Sequence, residues 1–190
     1  MSKKLKKHDP LIIFFIHWHW KISKKFLKLY NCIGFHMTKL PYGRGGSPLQ
    51  NLILRNKKFT YITAYKITEK MDTGPICFQK KIPLNGSAED IYKRVTQNSI
   101  SIIKSNFLKK TKLIFKKQNG KTTYFKRRNP KQSEIKNINN IKKLYDFIRM
   151  LDAPGYPKAY LDKNKYSFSF FDAKIKNNII ETRVIIKKNV

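Results

Sequence analysis

With 190 residues the chain has room for one domain and a small appendage, and its 41% hydrophobic and 13% aromatic content excludes wholesale disorder. Its 42 Lys+Arg against 11 Asp+Glu leave a formal charge of +31, which suits a polyanionic partner such as nucleic acid or an anionic membrane. Most of that charge is Lys dispersed among Ile and Asn, a pattern that genomic codon bias explains as well as a selected binding face does.

The run from Leu11 to Ile16 is apolar on successive positions, as a strand buried on both faces of a parallel sheet would be. It is far shorter than the ~20 residues of a membrane span, and no small-residue cleavage site follows. The chain therefore reads as soluble and cytoplasmic, with no membrane partner. Ser23 to Tyr30 predicts a short helix and Cys32 to Phe35 a second strand. The stretch from His36 to Gly46 is too rich in Gly and Pro for regular structure. Ser47 and Pro48 open a helix with Leu49, Leu52, Ile53 and Leu54 inward. Phe59 to Ile67 and Ile76 to Ile82 predict strands, separated by a turn from Lys70 to Gly74. Ser87, with Glu89 and Asp90 in the first turn, starts a long amphipathic helix reaching Phe107. Gln118 to Gly120 breaks the chain. After Pro130, Asn139 to Leu151 predicts a helix, and Tyr166 to Phe171 with Ile179 to Ile186 a small antiparallel unit. Cys32 and Cys77 sit in apolar runs like small buried hydrophobes, and the sequence has no Cys-x-x-Cys pair or Cys/His cluster to hold a metal.

Two motifs carry chemistry. One runs from Phe35 and His36 through Leu40, Pro41, Tyr42, Gly43, Arg44, Gly45 and Gly46 to Ser47, Pro48, Leu49 and Gln50. The other is Met71, Asp72, Thr73, Gly74 and Pro75, with Asp72 placed 36 positions after His36. Together they resemble the folate-dependent formyltransferases, whose pattern is Asn-x-His, a Leu-Pro-x-x-Arg-Gly loop and a later Asp-x-Gly turn. The resemblance runs from about Asp9 to about Val190. It implies an α/β fold with a partial Rossmann-like, mostly parallel sheet over residues 1–125, truncated at its N-terminal side, and a small C-terminal α+β appendage over residues 126–190.

The resemblance also implies an activity: moving a formyl group from 10-formyltetrahydrofolate, as co-substrate, to an amine, with no metal. A neutral amine attacks and a tetrahedral oxyanion forms, so a positioned imidazole can donate to that oxygen and a nearby carboxylate can orient it and accept a proton. His36 and Asp72 are the expected catalytic pair, at the carboxyl edge of the sheet where open α/β sheets place ligands. His19, Trp20, Lys70 and Met71 are expected to border the pterin pocket, although His17, Trp18, His19 and Trp20 also read as strand-end packing. Thr38, Arg44, Gly45 and Gln50 are the expected substrate or loop residues. For Arg44 the alternatives are a solvated charge, a brace that holds the loop shut, or a contact to substrate phosphate. Helix capping accounts for the run around Gln50 as well as a substrate role does.

Two departures stand out. Where the family has its catalytic Asn this chain has Gly34, and a backbone N–H, a water, Thr38 or His19 are the candidate replacements. Only 35 residues precede His36, where the family has most of a half-sheet. The expectation is a truncated chain, a misassigned start or a second polypeptide that completes it, with poor stability and little activity alone. About 60 residues follow Arg128, where the tRNA-specific branch carries a complete C-terminal barrel. That shortness favours a small amine acceptor, a nucleotide-linked amino sugar. The alternative partner is methionyl-tRNA, and the second alternative is an inactive remnant.

Overall fold

The computed structural model describes residues 10–108 and 113–189. Asp9 and Val190, the ends of the expected resemblance, lie outside them. Two compact units are drawn from interleaved stretches of chain. Unit 1 comprises Met1–Pro48, Thr60–Ile82 and Val95–Lys126, and unit 2 comprises Leu49–Phe59, Pro83–Arg94 and Arg127–Val190.

Unit 1 is built on a four-stranded sheet in the order β1 (Ile13–Ile16), β2 (Cys32–His36), β4 (Phe59–Lys66), β5 (Ile76–Pro83). The α/β class and its parallel element follow the expectation, because β1 pairs parallel to β2 with Phe15 opposite Gly34. The parallel character stops there: β4 runs antiparallel to β2, with Gly34 opposite Tyr65 and His36 opposite Thr63. The sheet is therefore mixed. All five residues of β2 are buried, as a strand with neighbours on both edges requires. Helix α1 (Lys24–Leu29) starts where the Ser23 hydroxyl accepts the Phe26 N–H at 3.2 Å. A two-stranded parallel ribbon, β3 (Arg44–Gly45) with β6 (Tyr124–Phe125), was not legible beforehand.

Unit 2 holds α2 (Pro48–Leu54), of which Pro48 belongs to unit 1, the first half of α3 (Ala88–Ile102), α4 (Ile141–Arg149) and a three-stranded sheet. That sheet joins β7 (Ala159–Lys163), β8 (Tyr166–Lys176) and β9 (Ile179–Lys188), all antiparallel. It is longer than expected and has one more strand. Asn177 and Asn178, at φ 49° and 58°, make the left-handed pair that closes the β8–β9 hairpin. The Ser87 hydroxyl accepts the Asp90 N–H at 3.2 Å while the Asp90 carboxylate accepts the Ser87 N–H at 2.9 Å, which caps α3 reciprocally. The Asn140 side chain accepts the Lys143 N–H at 3.0 Å and starts α4. Continuous helix ends at Ile102, and a π-helical turn carries Ile103 to Phe107.

Candidate functional site

Two loops of unit 1 meet beyond the end of β2. The first follows His36. It is stapled to the segment around β6: Gly43 N–H donates to the Thr123 hydroxyl at 2.7 Å, Arg44 N–H to the Thr123 carbonyl at 3.0 Å and Gly46 N–H to the Phe125 carbonyl at 3.0 Å. The Gly45 N–H is aimed elsewhere and donates to Oδ2 of Asp72 at 2.8 Å.

The second loop is the turn between β4 and β5. Asp72 takes φ 53°, a left-handed conformation that Asp tolerates better than most residues. Gly74 is required by contact: a Cβ there would stand 1.7 Å from the Lys66 carbonyl oxygen. Gln118 locks the turn from behind, its amide N–H groups donating to the carbonyls of Asp72 and Gly74, each at 2.8 Å. The same side chain's Oε1 accepts from Arg44 Nη2 at 2.6 Å and Nε at 3.2 Å. Gln118 thus ties the two loops together, and Arg44 serves as the brace among its three alternatives.

Within this frame His36 and Asp72 face each other, Nδ1 to Oδ2 at 3.7 Å, with side chains 10% and 11% exposed. The opposite ring atom, Nε2, lies 2.8 Å from the Gly43 carbonyl oxygen, which only accepts, so Nε2 carries a hydrogen. The remaining oxygen of Asp72, Oδ1, accepts the Tyr65 hydroxyl at 2.7 Å. Burial first, then the charge and hydrogen bond of Asp72, hold the Tyr65 phenol well above its ordinary range, so it stays a donor.

The other expected residues divide. Thr38 is fully buried, its hydroxyl 3.4 Å from the Gly43 carbonyl, which makes it part of the loop's base. Gly45 contributes through its backbone N–H. Gln50 does not join this group of bonds. It is fully buried in unit 2 and donates to the Met150 carbonyl at 3.0 Å and the Tyr92 hydroxyl at 3.3 Å. Trp20 and Met71 are strongly exposed, and His19 lies against Trp20 with ring centres 3.9 Å apart. Trp18 edges onto Trp20 at 5.0 Å, so His19, Trp18 and Trp20 form one aromatic surface. His17 instead reaches the Thr96 hydroxyl at 3.0 Å. Lys70 is exposed, and its carbonyl accepts from the Thr73 hydroxyl at 3.0 Å within the turn. Tyr65, Gln118 and Thr123 went unnoticed in the sequence. Among the described residues no group of three or more His, Cys, Asp or Glu side chains could hold a metal ion.

The family described as formyl transferase matches residues 1–106, more than half of the chain. The chain belongs to that family. A second match, to the C-terminal domain of methionyl-tRNA formyltransferase, covers residues 130–187. The methionyl-tRNA formyltransferase of Thermodesulfovibrio yellowstonii is 29% identical over 153 residues, covering 77% of this chain and 50% of that protein. A solved structure of methionyl-tRNA formyltransferase from Clostridium thermocellum superposes with a TM-score of 0.91 at 41% identity, covering all of this chain and 83% of that one. A 4-N formyltransferase from Francisella tularensis shares the fold, at 22% identity and a TM-score of 0.68 over 86% of this chain and 72% of that structure. The chain spans about half the length of the curated relatives it matches.

Proposed function

We propose that the chain carries the transfer site of an N-formyltransferase that uses 10-formyltetrahydrofolate. The observation that carries this is the buried His36–Asp72 pair, 3.7 Å apart and fixed on every side by the hydrogen bonds of two loops. A pre-set imidazole donor and a carboxylate acceptor are what acyl transfer to an amine needs. His36 offers its Nε2–H, now on the Gly43 carbonyl, to the formyl oxygen as charge develops there. Asp72 takes the proton that the amine loses. The folate supplies the activated formyl group, and the aromatic surface of Trp18, His19 and Trp20 offers ring faces for a pterin to stack on.

For the acceptor, methionyl-tRNA is better supported than the nucleotide-linked amino sugar favoured by the sequence. Residues 130–187 match the C-terminal domain of methionyl-tRNA formyltransferase, and the relatives from Thermodesulfovibrio yellowstonii and Clostridium thermocellum carry that name. A cavity of about 570 Å³ in unit 2, lined in part by Lys57, Lys58, Lys142 and Lys143, suits a polyanionic acceptor. The test is formyl transfer to methionyl-tRNA and to nucleotide-linked amino sugars side by side. Faster transfer to methionyl-tRNA supports this reading, and transfer to the sugar alone replaces it.

A further inference from the structure

We infer that the Tyr65 hydroxyl is the hydrogen-bond donor that takes the place of the absent side chain at Gly34, presented to the formyl oxygen beside His36. This rests on the proposed formyl transfer. Gly34 and His36 are two residues apart on β2, so a side chain at 34 would stand on the same face of the sheet as His36. Tyr65 lies directly across from Gly34 in the antiparallel pairing and shares that face. Its ring fills the space: a Cβ at Gly34 would stand 2.9 Å from Tyr65 Cε1 and 3.0 Å from Cζ. Cζ bears the hydroxyl, so the phenol occupies the space that a side chain at position 34 would enter. Glycine at 34 and tyrosine at 65 are therefore one arrangement, a small residue and a large one exchanged across a strand pair.

The hydroxyl is also wired to the proton acceptor, through its 2.7 Å bond to Oδ1 of Asp72. In the transfer the amine nitrogen bonds to the formyl carbon, and the carbonyl π pair moves onto oxygen. The amine proton passes to Asp72. A protonated Asp72 can then donate to the Tyr65 oxygen, which frees the Tyr65 hydrogen to turn to the oxyanion. When the oxyanion collapses, the carbon–N10 bond breaks, and N10 of tetrahydrofolate leaves with the electron pair and takes up the proton held by Asp72. Thr38 and His19, the other candidate donors, are committed elsewhere: Thr38 is buried at the loop base and His19 lies on Trp20.

The experiment measures formyl transfer from 10-formyltetrahydrofolate, with unfolding midpoints alongside, for the chain and three variants. Tyr65→Phe keeps the packing and is expected to lower kcat ~100- to 1,000-fold with KM for the folate within a few-fold. Gly34→Asn alone meets the Tyr65 ring and is expected to lose both midpoint and activity. Gly34→Asn combined with Tyr65→Ala clears the clash and restores a donor at position 34. Its kcat should exceed that of Tyr65→Phe at least tenfold, which a tyrosine that only positions Asp72 would not predict. A Tyr65→Phe variant within threefold of the chain, or a double variant no faster than Tyr65→Phe, overturns the inference alone. No transfer by the unaltered chain to any amine overturns the proposed function and the inference with it.

Discussion

Oδ2 of Asp72 sits between two partners, 2.8 Å from the Gly45 N–H and 3.7 Å from Nδ1 of His36. The backbone bond holds the carboxylate still, and the longer gap to the imidazole leaves it able to accept a proton from outside the pair. Replacing the carboxylate by an amide separates these two jobs. Asp72→Asn can still accept the Gly45 N–H, so the unfolding midpoint should stay within a few degrees while kcat falls ~10²–10⁴-fold, as for loss of a general base. His36→Ala should lose as much. Steady-state kinetics beside circular-dichroism melts check both, and activity within a few-fold of the unaltered chain would sink the assigned pair.

Gln118 makes three contacts: to the carbonyls of Asp72 and Gly74, and from the Arg44 guanidinium through both Nη2 and Nε. Gln118→Ala is expected to destabilise by about 2–3 kcal/mol, the sum expected for two neutral and one charge-assisted bond partly replaced by water. Urea unfolding measures this. A loss below the scatter of the method would mean that the Gly45–Asp72 bond joins the two loops without help from Gln118.

Gly74→Ala places a methyl group against the Lys66 carbonyl, where 1.7 Å separates the ideal Cβ from the oxygen. The turn must open, moving Asp72 with it. Activity and stability should fall together, with stability down by more than about 2 kcal/mol, the range of strained backbone sites. A variant with the unaltered melting midpoint would show that the turn yields freely.

The ionisation of Tyr65 ties stability to pH. Its folded pKa is raised well above the ordinary phenol value of 10.0, first by burial and then by Asp72. The phenol's contribution is therefore complete below the unfolded pKa and is lost as pH rises above about 10 toward the folded value. Urea unfolding across that window should show a steeper decline for the unaltered chain than for Tyr65→Phe. Parallel declines would place the phenol in water.

Burial lifts both thiols, Cys32 and Cys77, to about 11, so little thiolate exists near neutrality. Both should react with a maleimide or an aromatic disulfide far more slowly in the folded protein than in urea. Fast native labelling of Cys32, which is 1% exposed, would contradict the burial of β2.

Features that depend on neighbouring residues were legible in the chain itself. The apolar stretches of β1 and β2, the side-chain cap at Ser87 and the Asp-x-Gly turn all act over a few positions, and the structure keeps each. The two motifs marked His36, at the end of β2, and Asp72, in the turn that follows β4. Tertiary structure alone decided what surrounds them. Tyr65 meets Gly34 only through the antiparallel register of β2 and β4, and Gln118 and Thr123 reach the loops from a stretch without periodicity. Gln50, which the motif grouped with the loop, was drawn instead into the bonds of unit 2, because a buried amide goes where carbonyl and hydroxyl partners are. Such contacts join residues many positions apart, and their energy depends on distances that no local pattern of residue types records.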